Sequence, residues 1–477
     1  MSLKDSQNNN TLNSDTIKTI QSSTNAIIIK VCIIAALAGL LFGVDVAFVN
    51  GVLPFIERDF HLSLNDQGAV AGYLLLGAAV GALMSGYLSR LFGRKKILIL
   101  AAFIFTFVTI LAVLSTSFTV FLIARFIVGI AVGIASFIAP LYLSEIAPFA
   151  FRGRLVAIFQ LMITIGIFVM FLSNAALMHT GSWRIMMLVI VIPSSLMLIG
   201  SFSLPESPRW MVLQDRINEA RNILLHIRSS KEEAEFELNE IIATANKKSL
   251  NVKLLSNKFF IKVVILGVML QILQQFTGIN AVMYYSSQIF ATAGFTNPSL
   301  ATVIVGLVNM LTTIVAMKYI DNIGRKPILY FGLILMVISC MIIAYLFNLQ
   351  TSGMVLSAFM QYTLLIACLV FIFGFAVSLG PIVWILCSEI FPLDGRELGV
   401  TITTMVNWMC NAIIGAYSLN WFHTFGVGNT FFLFGICGIL GLGLVKFFTP
   451  ETKGITLEEL ENNLYADIPL KKLGDLR

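Results

Sequence analysis

The sequence predicts an all-α membrane protein with twelve spanning helices, and three observations carry that prediction. Hydrophobic residues fill 58% of 477 positions and charged ones only 12%, against about 25% charged in a soluble domain. The apolar residues collect in runs of about 20, the length that crosses a bilayer core at 1.5 Å per residue. Polar and basic clusters separate the runs and mark the loops.

Taken in chain order, residues 1–26 are polar and rich in Asn, Ser and Thr. They lack the apolar core and cleavage site of a signal peptide and read as a disordered cytoplasmic N-terminus. Twelve spans follow, centred near residues 40, 79, 105, 129, 165, 194, 276, 309, 336, 371, 409 and 439. Of the 31 Lys and Arg, only Arg58 and Arg184 fall on one side and Arg125 within a span; all the others lie on the opposite side or at its edge. That side is expected to be the cytoplasm, with both termini in it. The net charge of +6 follows from this asymmetry and calls for no nucleic-acid partner.

Three short motifs recur in the same order at nearly one offset. "LFGRKK" (91–96) returns as "NIGRKP" (322–327), "SEIAPFAFRG" (144–153) as "SEIFPLDGRE" (388–397), and "PESPRW" (205–210) as "PETKGI" (450–455). They follow the second, fourth and sixth span of each half, so the chain reads as two six-helix halves in parallel repeat. The expected divisions are 27–204 for the first half, 205–258 for a cytoplasmic linker, 259–449 for the second half and 450–477 for a cytoplasmic tail. Within the linker, "DRINEARNILLHIR" places apolar residues at 217, 220, 224 and 227, and Ser230 with Glu233 reads as a capping box. Gly77 and Gly81, with Gly129 and Gly133, form small-residue faces for close helix packing.

Several chemistries are excluded. The six cysteines lie within spans without CxxC spacing and the four histidines lie in loops, which argues against a metal site, a disulfide framework and a histidine proton relay at membrane depth. No P-loop, nucleophile cluster or cofactor loop is present, so neither an enzyme nor a bound cofactor is expected.

Two polar features inside the spans carry the functional reading. Asp45 is the only acidic residue deep within a span, and an ionisable group there is costly unless it is paired or functional. The first span runs outward to an exit near Pro54, and the fourth runs inward from about Ser117. Asp45 and Arg125 therefore reach the same depth and can meet. Arginine stays protonated, so Arg125 close by holds Asp45 ionised, while its withdrawal in a low-dielectric site favours the protonated acid. The second feature is a cluster of amides. Gln271, Gln274 and Gln275 share one face of the seventh span, and Asn280 and Tyr284 follow about one and two turns on. Asn309, Asn407, Asn411, Gln160 and the large ring of Trp384 come from other spans. Uncharged amides both donate and accept, which suits a ring of hydroxyls.

Two six-helix halves joined by a cytoplasmic linker are the architecture of a major facilitator, in which substrate sits near mid-membrane and rocking of the halves alternates its access. The motifs "GRKK", "RGRL", "PESPRW", "QQFTGINAVMYYS", "GRKP" and "PETKG" resemble the sugar porter family over residues 30 to 460. "LAGLLFGVDVAFVNGVLPFI", "APLYLSEIAP" and "PIVWILCSEIFP" are most similar to bacterial arabinose, galactose and xylose proton symporters. The resemblance implies sugar contacts at Gln160, Gln274, Gln275, Asn280, Asn309, Trp384 and Asn411, and pocket-lining or gating roles for Tyr284, Asn407 and Trp408. It implies proton coupling at Asp45 and Arg125. It also implies an inner salt-bridge network of Arg94, Glu145, Arg152, Glu206, Arg325, Glu389, Arg396 and Glu451, holding an outward-facing state closed below. The expected function is proton-coupled monosaccharide import across the cytoplasmic membrane by a monomer, with the sugar, protons and the lipid bilayer as partners. A facilitative uniporter is the alternative within transport; a non-transporting sugar sensor is a further one, disfavoured by the short tail after Glu451.

Overall fold

The computed structural model describes residues 14–147, 152–228, 230–245, 252–392, 395–455 and 457–474, without the side chains of 14–26, 152–157, 244–245, 252–253, 320–322 and 457–458. The first half comprises α1 (Ser14–Phe60), α2 (Leu64–Phe92), α3 (Arg94–Val113), α4 (Phe118–Ile146), α5 (Arg152–Leu177) and α6 (Trp183–Phe202). Three short helices follow, α7 (Pro208–Leu213), α8 (Ile217–Ile227) and α9 (Lys231–Ala245). The second half comprises α10 (Lys258–Phe276), α11 (Ile279–Thr292), α12 (Pro298–Ile323), α13 (Arg325–Thr351), α14 (Ala358–Val377), α15 (Leu379–Glu389), α16 (Arg396–Thr424) and α17 (Val427–Phe447), and α18 (Leu457–Tyr465) closes the chain. Twelve segments are long and apolar enough to cross a membrane, and each contains one of the expected span centres. Ile192, Leu196, Ile199 and Phe202 of α6 each expose more than half their surface. Such a stripe would be a liability in water and suits a lipid-facing helix.

Four features go beyond the sequence reading. Helix α1 continues past Pro54 to Phe60, with non-helical dihedrals only at Asn50 and Gly51, where Gly51 has φ 101°. Pro54 sits in the first turn after this break, where its missing N–H costs no helical bond. The seventh span is two helices, α10 and α11, parted at Thr277 and at Gly278, whose φ is 90°. Asn280 and Tyr284 therefore stand on a separate helix from the three glutamines. The tenth span is likewise broken, at Ser378. Last, α1 begins at Ser14, so residues 14–26, expected to be disordered, are helical; no Gly or Pro interrupts them, and a helix already nucleated downstream propagates through. Residues 1–13 lie outside the described residues.

Helices α2 and α4 pack backbone to backbone. A Cβ on Gly77 or Gly81 would meet the Phe126 or Ile130 carbonyl, and one on Gly129 or Gly133 would meet the Leu74 or Ala78 carbonyl. In lipid, where apolar burial drives nothing, this close approach is what holds helices together. Gly43 of α1 and Gly166 of α5 make the same kind of contact. The linker helices bind the first half: Ala220, Leu224 and Ile227 bury one face of α8, and the Ser230 hydroxyl accepts from Glu233 N as the capping reading expects. Buried Arg228 donates to the Ile146 carbonyl at the end of α4 and to both carboxylate oxygens of Glu237.

At the opposite, far end the two halves touch directly. Asn420 of α16 donates to Asn65 at 2.8 Å, Gly68 and Gly72 of α2 lie against Ala416, and Gly306 of α12 lies against Phe168 and Phe171 of α5.

The repeated "GRK" corner has one geometry in both halves. Gly93 has φ 92° and Gly324 has φ 104°, and each is followed directly by a helix whose first N–H groups need acceptors. Glu206 Oε1 takes Arg94 N at 2.8 Å and Lys95 N at 3.1 Å. Glu451 takes Arg325 N at 3.0 Å and Lys326 N at 2.9 Å. A Cβ on either glycine would strike the capping carboxylate. Gly93→Ala and Gly324→Ala should each cost about 1–3 kcal/mol through strain and a displaced cap. Thermal unfolding in detergent would read this as a lowered midpoint, and an unchanged midpoint would contradict it.

Candidate functional site

Asp45 of α1 and Arg125 of α4 are both fully buried, and Arg125 Nη1 donates to Asp45 Oδ1. The depth matching in the sequence anticipates this meeting. The pair is not the two-bond fork that a guanidinium and a carboxylate can form. Asp45 Oδ2, Arg125 Nε and Arg125 Nη2 have no hydrogen-bond partner among the described residues. The Phe48 ring, 5.2 Å from the guanidinium carbon, supplies a cation–π contact instead. A buried ion pair with unmet valences is poorly compensated for its desolvation. It is therefore a pair that a proton can compete for.

The amides form a connected chain. Asn407 Nδ2 donates to Gln271 Oε1 and to Gln274 Oε1, each at 2.6 Å, and Gln275 Nε2 donates to Asn407 Oδ1 at 3.2 Å. Asn280 Nδ2 crosses the break between α10 and α11 to reach Gln275 Oε1 at 2.6 Å. Gln274 Nε2 donates to the carbonyls of Leu379 at 2.8 Å and Gly380 at 3.3 Å, beside the break that starts α15. Both ends of Gln274 are thus engaged as a brace between two broken spans. Tyr284 of α11 donates to Asn411 Oδ1 of α16 at 3.0 Å.

The remaining candidates stand apart from this chain among the described residues. Half-buried Gln160 lies on α5, buried Asn309 on α12, and Trp384 on α15 is 37% exposed. Trp408 is buried and its ring lies 5.3 Å from Phe42 of α1, across the two halves.

Two residues that the sequence reading passed over organise the α1 break. Asn50 Nδ2 donates to Met283 O at 2.9 Å and Ser286 Oγ at 2.6 Å, and its Oδ1 accepts from Ser287 N at 3.2 Å, tying α1 to α11 of the other half. Asn174 Nδ2 of α5 donates to Asn50 O at 2.6 Å and Phe48 O at 3.3 Å. Pro54 has no N–H for the carbonyl four residues before it, which is that of Asn50. "NGVLP" inside an apolar run was the available signal: a turn pair followed by a proline implies a freed carbonyl and a donor elsewhere. A cavity of about 230 Å³ lies beside this break, walled by Asn50, Pro54, Tyr284, Ser287 and Gln288.

The charged residues at the linker end form matched sets. Arg94 makes a two-bond pair with Glu145, at 2.7 and 2.9 Å, and Ser207 Oγ donates to the same carboxylate at 2.5 Å. Arg325 donates to Glu389 at 2.9 Å, and Thr452 Oγ1 donates to Glu389. Each of these pairs lies within one half. Glu206 and Glu451 serve as helix caps, as described above. Arg396 opens α16; the side chain of Arg152 lies outside the described residues.

Residues 31–464 match the family described as "Sugar (and other) transporter". The galactose-proton symporter of Escherichia coli (strain K12) is 42% identical over 456 residues, covering 95% of this chain and 97% of that protein. The arabinose-proton symporter of the same strain is 40% identical over 472 residues, covering 97% and 99%. Among solved structures, the major facilitator superfamily proton:xylose symporter XylE bound to 6-bromo-6-deoxy-D-glucose aligns with a TM-score of 0.76 at 31% identity, covering 92% of this chain and 99% of that one. An inward open conformation of the xylose transporter XylE from E. coli aligns with a TM-score of 0.77 at 30% identity, covering 91% and 99%. With its twelve apolar helices, broken seventh and tenth spans and a match over nearly its whole length, the chain belongs to the sugar transporter family of the major facilitator superfamily.

Proposed function

We propose that the chain imports a monosaccharide by proton symport through alternating access, with Asp45 as the coupling acid. The observation that carries this reading is the fully buried, incompletely bonded Asp45–Arg125 pair, in a molecule whose seventh and eleventh spans carry a connected chain of amides. The relatives named as galactose-, arabinose- and xylose-proton symporters support the same reading. A facilitative uniporter would have no use for an acid placed at this cost in the membrane interior.

In this reading the protein is a multi-pass monomer of the inner membrane, and the end bearing the linker helices and nearly all Lys and Arg faces the cytoplasm. Asp45 takes a proton from outside, which releases Arg125 from its strongest partner. Gln160, Gln275, Asn280, Asn309 and Asn411 contact the sugar hydroxyls and Trp384 offers a face to the ring. Gln274 contributes from its braced position, while Tyr284, Asn407 and Trp408 line or gate the pocket. The amides are bonded to one another here, so a sugar hydroxyl that both donates and accepts exchanges one hydrogen bond for another. In the outward-facing state the charges of Arg94, Glu145, Arg152, Glu206, Arg325, Glu389, Arg396 and Glu451 regroup across the two halves and secure the cytoplasmic end. Return of Asp45 to Arg125 expels the proton inside. One proton moving through 100 mV supplies about 2.3 kcal/mol, enough for roughly a fifty-fold sugar gradient at one proton per sugar.

Three outcomes are expected. Asp45→Asn keeps the side-chain shape and removes the ionisable group, so accumulation driven by a proton gradient in proteoliposomes should vanish while exchange of labelled sugar across the membrane persists. Accumulation by this variant that a protonophore still abolishes would place the coupling acid elsewhere. Gln275→Ala and Asn280→Ala should each weaken sugar binding by about 1–3 kcal/mol by leaving buried partners unpaired, read by calorimetry in detergent against galactose, arabinose, xylose and glucose. Binding at the parental affinity for every sugar in both variants would remove these amides from the site. Gly68→Trp cannot seat against Ala416 of α16, so the outer seal should fail, raising outside accessibility of a cysteine placed in the cavity and lowering transport. Accessibility equal to that of the parent would show that the seal lies elsewhere.

A further inference from the structure

Asp45 lies on a stretch of α1 that α5 holds on both sides. Below it, Gly43 and Gly166 bring the two helices into backbone contact. Above it, one side-chain amide, that of Asn174, donates to the carbonyls of Phe48 and Asn50. The Asn50 carbonyl lacks a helical donor because Asn50 and Gly51 depart from helical dihedrals. Asn174 is itself 4% exposed, and its Oδ1 has no partner among the described residues. The side chain is therefore committed to donation: a buried acceptor is left unmet in order to satisfy two backbone carbonyls.

Both carbonyls belong to residues with a part in the site. Phe48 is three residues beyond Asp45, on the same face of the helix, and its ring covers the Arg125 guanidinium. Asn50 carries the clasp to α11 in the other half. Released from Asn174, the segments of α1 on either side of the break would be free to rotate relative to one another about Asn50 and Gly51. Such a rotation would shift the Phe48 ring relative to Arg125 and swing the clasp.

We propose that Asn174 is a positioning residue for proton coupling: by fixing the break in α1 it sets Asp45 and Phe48 against Arg125 and holds that arrangement to the closure of the outer end. This rests on the proton-symport reading above. The ionisable groups set against Asp45 are Arg125 of α4 and the Tyr284 hydroxyl of α11, and residues 158–177 of α5 carry no ionisable side chain. Asn174 thus acts on the acid through geometry alone.

The test compares the full-length parent with Asn174→Leu, which keeps the volume and removes the donor, and with Asn174→Thr, which keeps one donor in a smaller side chain. The first readout is an infrared titration of the protonated carboxyl band of Asp45 in purified protein, assigned by its absence in Asp45→Asn. The second is transport in proteoliposomes, as the proton-driven accumulation ratio beside sugar exchange. Asn174→Leu is expected to displace the titration midpoint and lower the accumulation ratio roughly tenfold, the equivalent of about 1.4 kcal/mol, with exchange within about twofold of the parent. Asn174→Thr should fall between. If Asn174→Leu does not insert, the same displacement in Asn174→Thr decides the matter. An unmoved midpoint in the variants that insert overturns the proposal, as does a loss of exchange as large as the loss of accumulation, since that is the mark of a general structural role. A displaced midpoint in a protein whose parent form never accumulates sugar would leave the positioning role standing and overturn the symport reading instead.

Discussion

Moving a lone carboxylate from water into hydrocarbon costs far more than a fold has to spare, so Asp45 at zero exposure requires either a counter-charge or a proton. Much else in the structure follows from that constraint. Arg125 must reach it from α4, and the backbone contacts of α4 with α2 keep that helix in place. The α1 segment bearing the acid is closed on α5 at Gly43 and Gly166. A single bond from Nη1, with three polar atoms of the pair otherwise unmatched among the described residues, compensates the ionised state less than a two-bond fork would. Full bidentate pairing would lock the acid in its ionised form.

The broken spans are the second organising feature. At two of the three breaks an amide from another helix donates to carbonyls beside the break: Asn174 to that of Asn50, and Gln274 to those of Leu379 and Gly380. Irregular backbone survives at membrane depth only on such terms. The same amides lie beside the polar interior, so the devices that make the breaks tolerable also stock the centre of the molecule with donors and acceptors. Asn407, with three amide partners on α10, links α16 to the seventh span so that they can respond to a ligand together.

How far these arrangements were legible in the sequence differs from case to case. The twelve spans are a matter of composition over about 20 residues, and a window of that length is forgiving. Asp45 and Arg125 could be brought together because helix rise converts sequence distance to depth. The breaks could not be read in the same way. Gly278 and Ser378 permit a break, but whether one forms depends on donors far along the chain, and the sequence does not say that Gln274 will find Leu379. For the same reason Gln271, Gln274 and Gln275 read as one ligand-facing set, whereas the structure engages Gln274 at both ends as a brace. Asn50 and Asn174 went unnoticed because a lone asparagine in a span carries little information until the carbonyl it serves is known. The matched caps at Glu206 and Glu451 were visible as a repeated motif, though their partners turned out to be backbone N–H groups.

The account stands or falls on whether sugar movement carries a proton. The most direct measurement is the pH of a lightly buffered suspension of de-energised right-side-out vesicles containing the parent protein, recorded as galactose, arabinose, xylose and glucose are added in turn. The account predicts a transient alkalinisation on addition of the transported sugar, matched in onset to its uptake and collapsed by a protonophore. Uptake of a labelled sugar with no change in external pH would contradict it and make Asp45 and Arg125 a structural pair in a uniporter.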